Sequence, residues 1–266
     1  IINKKMIILT NLKYSLRKSV LIATLNTFSI FKKYRKLLGI SFSTLYYYFF
    51  KIWISETLRK KNKSLSNKYE KIFDNDFFFS KNEDWFSHNI PIWDFVLKKE
   101  IKIDENIEYL EIGSYEGRSI VYICSEFKNL VATAVDPYLP CEEHKTYSID
   151  HDMEIKYENC KKNSNFFKER VKIHRLTSND FFKQNNKKFD LIYVDGSHKA
   201  LDVKNDFLNS LEVINQNGLI ILDDVTWQHY DNFIDNPIFA IIPILKKNPE
   251  LKIISVSNQL IVKKIQ

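Results

Sequence analysis

The stretch Tyr109-Leu-Glu-Ile-Gly-Ser-Tyr-Glu-Gly-Arg-Ser119 decides how the rest of the chain reads. An apolar run ends in an acid and breaks into a turn flanked by Gly113 and Gly117, the pattern of a strand, a tight loop and a helix start. Glycine lets the backbone approach a bound group closely, and the free N–H groups that open the next helix face it. A small charged ligand is expected there.

Outward from this loop, toward the C-terminus, short apolar runs alternate with amphipathic ones. Strands are expected over 107–112, 131–135, 171–176, 189–195 and 218–223, and helices over 117–127, 152–168, 178–184 and 199–214. Such alternation predicts a mostly parallel sheet with helices on both faces, a Rossmann-like α/β fold. A helix over 234–247 and strands over 251–256 and 260–264, joined by Ser257-Asn258-Gln259, predict a terminal antiparallel hairpin and hence seven strands. On the N-terminal side, Trp85, Phe86, Ile90, Trp93, Val96 and Leu97 recur at helical spacing within 83–99, where Pro91 either kinks the helix or starts it.

Ligands of open α/β sheets bind beyond the carboxyl ends of the strands. Acids and glycine turns gather at that edge: Glu111-Ile-Gly113, Asp136-Pro137, Asp195-Gly-Ser-His198 and Asp223-Asp224, with Thr177-Ser178-Asn179-Asp180 after the third strand. Singly each reads as a cap or turn residue; their convergence points to a site. Asp136 follows Gly113 by 23 positions, near the spacing at which a carboxylate on the second strand receives ribose hydroxyls. The loop itself reads Gly113-x-x-x-Gly117 and lacks the glycine spacing that seats a pyrophosphate, which excludes a nicotinamide dinucleotide. An adenosine-type ligand without phosphates remains.

These residues, with Asp84-Trp-Phe-Ser87, Asn89-Ile90, Trp93, Tyr193-Val-Asp-Gly-Ser-His198 and Leu222-Asp-Asp-Val-Thr-Trp227, resemble the class I S-adenosylmethionine-dependent methyltransferases, in the group called methyltransferase family 24. The resemblance runs from about residue 83 to the end. It implies that Glu111, Gly113, Ser114 and Ser119, with Tyr115 and Gly117 of the same loop, surround the methionine end of S-adenosylmethionine. Asp136 would hold the ribose, Ser178 would lie by the adenine, and Asp195 would adjoin the donor. Leu176 stands where the family commonly has glycine, which weakens the adenine assignment. Similar metal-dependent O-methyltransferases imply Mg2+ on Asp195, Asp223 and Asp224, a hard cation on oxygen ligands. His198, three residues beyond Asp195, is the expected base, assisted by Asp195; Lys199 is a weaker candidate. The expected reaction is methylation of an oxygen, in preference to a nitrogen, on a small-molecule or sugar-like acceptor. The rival reading is a catalytically degenerate module of this fold, tethered to a membrane or a partner. Residues 137–152, with Tyr138, Cys141, His144, Tyr147 and His151, are expected to form a loop over the acceptor, and Trp227, His229 and His88 to line its pocket.

Charge divides the chain at residue 75. Residues 1–75 hold 16 Lys and Arg against 3 Asp and Glu, whereas residues 76–266 hold 24 against 30, so the net +7 belongs to the N-terminal part. We therefore expect a basic, aromatic-rich helical extension over 1–75 and a catalytic domain over 76–266, with no nucleic-acid partner for the latter. Apolar stretches at 19–31 and 40–54 fall short of the ~20 residues that span a bilayer. A helical hairpin packed on the catalytic domain or on a second subunit is favoured over contact with a membrane surface, and the polar run Arg59–Lys68 reads as a linker. Three cysteines without paired spacing exclude a disulfide framework, which with the missing membrane span leads us to expect a cytoplasmic protein. The chain opens on Ile1, so its start is expected at Met6 or upstream.

Overall fold

A computed structural model describes residues 42–102, 104–140 and 152–265. Its centre is a seven-stranded sheet in the order β3-β2-β1-β4-β5-β7-β6. The strands are β1 (Ile107–Ile112), β2 (Leu130–Val135), β3 (Val171–His174), β4 (Phe189–Val194), β5 (Ile214–Leu222), β6 (Leu251–Val256) and β7 (Leu260–Lys264). Strands β1 to β5 pair in parallel, and β7 runs antiparallel between β5 and β6. The expected terminal hairpin is thus present, inserted with β7 inside and β6 at the edge.

Central strands are buried on both faces, as a helix-covered parallel sheet requires. Alternation sorts their side chains into two layers. Leu110, Ile112, Ile192, Val194, Ile220 and Leu222 point to one face, where α7 (Ala200–Val213) and α8 (Ile238–Lys247) pack. Tyr109, Leu191, Tyr193, Leu219 and Ile221 point to the other, against α3 (Ile90–Glu100) and α4 (Arg118–Glu126). Helices α5 (Met153–Asn165) and α6 (Ser178–Gln184) complete the alternation. Asp152 caps α5, accepting from the N–H groups of Glu154 and Ile155. Pro91 lies in the first turn of α3 and so starts that helix rather than kinking it.

The N-terminal part differs from expectation in one respect. Helix α1 (Phe42–Lys61) and helix α2 (Lys63–Asp76) run through the polar stretch read as a linker, broken only at Asn62. Both are anchored by burial. Tyr48 and Ile52 of α1 join the first layer, while Tyr69 and Phe73 of α2 join the second beside Ile90, Trp93 and Tyr122. Along β6, Tyr47 Oη and Lys51 Nζ donate to the carbonyls of Ile253 and Ile254, and the hydroxyls of Ser55 and Ser255 pair at 2.8 Å. Helix α1 thereby covers the exposed edge of the sheet, one of the ways proteins protect unpaired strands. Polarity misled the linker reading because the stretch holds one apolar residue, Leu65, while the side chains that bury α2, Tyr69 and Phe73, follow it. The stretch 19–31 lies outside the described residues. No helix among the described residues is long and apolar enough to cross a membrane.

Candidate functional site

The loop after β1 takes its shape from left-handed backbone. Gly113, Tyr115 and Gly117 have φ of 85°, 47° and 78°. A Cβ on Gly113 would stand 2.0 Å from the carbonyl oxygen of Asp195, so only glycine lets the two strand ends touch there. Ladder bonds hold the contact: Gly113 N–H donates to Val135 O and Asp195 N–H to Ile112 O, both at 2.8 Å. Asp136, at the end of β2, closes the loop from the other side by accepting from the N–H groups of Tyr115 (2.9 Å) and Tyr138 (2.7 Å). Burial raises its carboxyl pKa, and these backbone donors oppose that shift.

Glu111 and Ser119 lie behind this loop. Glu111 is fully buried and accepts from Ser119 Oγ at 2.6 Å and from Tyr109 Oη. Burial pushes its pKa up to about 8 against those two bonds. The hydroxyl of Ser114 is buried without a hydrogen-bond partner among the described residues. It is a polar atom in the loop still wanting a partner, which fits a bound donor. Gly113, Ser114, Tyr115, Gly117 and Asp136 therefore come together, with Glu111 and Ser119 bonded to each other beneath them. The hydroxyl of Ser178 is engaged with Asp206 of α7, whose carboxyl burial pushes up to about 6. Nothing in the sequence pattern marked Asp206, which sits mid-helix at a position that reads as an ordinary polar face.

Beside the donor loop lies a second cluster. Asp195, His198 and Asp224 each offer a ligand atom, all within 4.8 Å of one another. His198 Nε2 is 3.0 Å from Asp224 Oδ2, and its ring stacks on Trp227 at 4.2 Å between centroids and 9° between planes. His229 meets the same indole edge-on. Asp224 adopts φ 45°, the left-handed turn that aims its carboxylate back at the histidine.

Asp223 is where the structure departs from the expected ligand set. Its carboxylate turns inward, accepting from Gln259 Nε2 (2.7 Å), Asn258 Nδ2 (3.3 Å), its neighbour's N–H (2.7 Å) and Tyr193 Oη. The set brought together is Asp195, His198 and Asp224. Adjacent residues of an extended segment point to opposite sides, so a sequence pair of acids cannot both face one ion unless the turn is tight. Tyr193 Oη also lies 2.8 Å from Asp195 Oδ2. One phenol proton cannot serve two carboxylates; burial and mutual repulsion raise both, Asp223 to about 6, which favours a proton held on one of them. Gln259 is oriented in turn by Trp93 Nε1, which donates to its Oε1 at 2.8 Å.

Helix α1 reaches this cluster as well. Arg59 donates to Glu56 Oε1, Asn89 Oδ1 and Asn258 Oδ1. Beside it His88 is lowered to about 4 by burial first and the Arg59 charge second. Sequence reading missed Arg59, Asn258 and Gln259 because they sit 199 and 200 positions apart and only sheet closure joins them. Of the expected acceptor loop, residues 137–140 and 152 are described; Cys141, His144, Tyr147 and His151 lie outside the described residues.

Comparison with known proteins gives the same reading. Residues 110–225 match the family model described as a methyltransferase domain. No curated protein matches the sequence. Among solved structures, a candidate O-methyltransferase from Klebsiella pneumoniae is 12% identical, over 77% of this chain and 99% of that one, with a TM-score of 0.52. The O-methyltransferase TomG from Streptomyces achromogenes, in complex with S-adenosylmethionine, is 13% identical over 76% and 89%, TM-score 0.50. MycE methyltransferase of the mycinamycin biosynthetic pathway, in complex with Mg, S-adenosylhomocysteine and mycinamycin VI, is 16% identical over 76% and 54%, TM-score 0.52. At these identities the likeness is one of fold. Residues 110–225 thus match a methyltransferase domain, and the chain shares its fold with solved O-methyltransferases.

Proposed function

We propose that the chain methylates a hydroxyl oxygen of a small, polar or sugar-like acceptor. One observation carries this reading: the backbone of Gly113 touches that of Asp195, so the donor loop and the His198 cluster share one edge of the sheet. S-adenosylmethionine supplies a methyl carbon made electrophilic by its sulfonium. In this reading Ser114, Tyr115 and Gly117 with Glu111 and Ser119 beneath hold the methionine end, and Asp136 holds the ribose. The acceptor oxygen forms a bond to the methyl carbon as the carbon–sulfur bond breaks, and the hydroxyl proton passes to the ring nitrogen of His198 that Asp224 does not hold. Asp224 accepts from the protonated imidazole, and Trp227 fixes the ring plane. In-line displacement depends mainly on placement, which the Gly113 contact supplies.

A divalent cation would be held by Asp195, His198 and Asp224, two oxygen donors and one nitrogen. Bound there it would favour deprotonation of a coordinated hydroxyl. A nitrogen that ligates a cation cannot also take a proton. Exhaustive chelation therefore separates the two uses of His198: lost activity assigns it to the cation, unchanged activity to proton transfer.

The test is calorimetric titration with S-adenosylhomocysteine, followed by transfer of labelled methyl to a panel of hydroxylated and amine acceptors. Absence of S-adenosylhomocysteine binding overturns the donor assignment. Label reaching amines alone overturns the hydroxyl assignment.

A further inference from the structure

Helix α1 is apolar on two opposite sides. Tyr48, Ile52, Ser55 and Arg59 recur at i, i+4, i+7 and i+11 and face the sheet. Tyr46, Phe50 and Trp53 follow the same spacing half a turn away and face outward, 66%, 56% and 46% exposed, with Tyr47 at 43% beside them. Phe50 and Trp53 stack on each other at 6.2 Å. Scattered exposed aromatics need no explanation; a continuous stripe along one helix does.

Its surroundings are cationic. The charges of Lys252 and Lys99, both exposed, lie near enough to Lys51 to add to the effect of burial in lowering its ammonium pKa. Lys60 and Lys61 end the helix. Residues 1–41, which lead directly into it, carry nine Lys and Arg and no Asp or Glu. A second copy of the chain docked isologously on this stripe would set these cationic groups against their own equivalents. An anionic partner would be attracted instead, and Trp and Tyr are the residues that favour the boundary between headgroups and acyl chains.

We propose that the outward face of α1, through Tyr46, Phe50 and Trp53 with the surrounding lysines, docks on an anionic lipid surface. The helix lies along the interface rather than crossing it, with the aromatic stripe entering the headgroup layer and the cations meeting lipid phosphates. Because α1 also supplies Arg59 to the Asn258–Asp223 cluster, docking would hold the acceptor side of the catalytic domain near the membrane. This inference stands apart from the methyl-transfer reading and is tested without an acceptor.

The experiment is co-sedimentation of the full chain with vesicles of phosphatidylcholine alone, and of phosphatidylcholine with about a quarter phosphatidylglycerol, at low and high salt. Binding to the anionic vesicles is expected to exceed that to neutral ones by roughly tenfold and to weaken with salt. The combined variant Tyr46→Ser, Phe50→Ser, Trp53→Ser is expected to lose about tenfold or more in vesicle affinity. A far-UV circular dichroism spectrum and a thermal melt that match wild type show that the variant is folded. Three results would overturn the proposal. These are wild type leaving the anionic vesicles unbound, the variant binding them as wild type does, and sedimentation velocity showing a dimer that the variant abolishes in place of vesicle binding, which makes the face an interface between copies.

Discussion

Replacing Gly113 with alanine tests whether the donor loop and the His198 cluster are one mechanical unit. Two penalties arise. A left-handed backbone at φ 85° costs a residue with a Cβ about 1–2 kcal/mol. The new methyl group would also stand 2.0 Å from Asp195 O and 2.5 Å from its carbonyl carbon. Those atoms are backbone and cannot rotate away, so the strand ends must part by more than an ångström. Parting weakens the bonds Gly113 N–H to Val135 O and Asp195 N–H to Ile112 O, at about 1 kcal/mol each. The sum is roughly 3–4 kcal/mol, a fall in melting temperature of about 6–15 °C for a domain of this size. Gly117→Ala is the internal control: it has a similar φ of 78°, but its Cβ would stand 3.2 Å from Cys160 Sγ and 3.7 Å or more from Ile120, side chains rather than backbone. It should lose only the left-handed penalty of about 1–2 kcal/mol. Thermal melts of the three proteins, with S-adenosylhomocysteine titrations on each, decide the matter. Equal losses for the two variants, or a Gly113→Ala protein that melts and binds like wild type, would refute the reasoning.

Three further outcomes follow from the same geometry. Glu111 has its folded pKa raised from 4.5 to about 8, so the native state holds a proton that the unfolded chain has released. Its contribution to stability is therefore present below about pH 4.5 and is lost progressively up to about pH 8. Urea midpoints measured across that range should fall less steeply in Glu111→Gln than in wild type, by on the order of a few kcal/mol over the window. His198→Ala should slow methyl transfer by about 10²- to 10⁴-fold while S-adenosylhomocysteine affinity, measured by calorimetry, stays unchanged. Lys156→Met removes the buried cation that Glu83 (2.6 Å), Glu116 (3.5 Å) and Ser80 (2.6 Å) surround. Leaving two buried carboxylates uncompensated should cost about 3–5 kcal/mol in a thermal or urea melt.

The buried Lys156 cluster also shows where sequence reading stops. Glu83 accepts from Tyr115 Oη at 2.6 Å, and Glu116 accepts from Ser80 and Asn159, so the segment before α3, the glycine loop and α5 are tied through one ammonium. Each of these residues reads as an exposed helix or loop position along the chain. Their burial follows from three elements meeting, which local spacing does not encode. The same holds for Ser178, which the resemblance placed at the adenine and the structure pairs with Asp206.

Helix α1 illustrates a different limit. Its double apolar periodicity was visible as aromatic richness, and a helical reading followed. Which face packs depends on β6, formed 200 residues later, offering the carbonyls of Ile253 and Ile254 and the hydroxyl of Ser255. The boundary set at residue 75 by charge also crosses a shared core, because Tyr69 and Phe73 of α2 pack with Trp93 and Tyr122.

By itself the sequence determined what depends on local pattern. Strand and helix alternation dictated a parallel sheet with a terminal hairpin, and Gly113 with Gly117 dictated a tight left-handed loop after β1, because only glycine enters left-handed backbone without penalty. Tertiary structure alone decided which carboxylates face one another. Asp223 and Asp224 are adjacent along the chain, yet the turn after β5 sends one inward to Tyr193, Gln259 and Asn258 and the other outward to His198. A residue type states what chemistry a side chain can perform; the direction it points is set by the backbone of elements that meet only when the sheet closes.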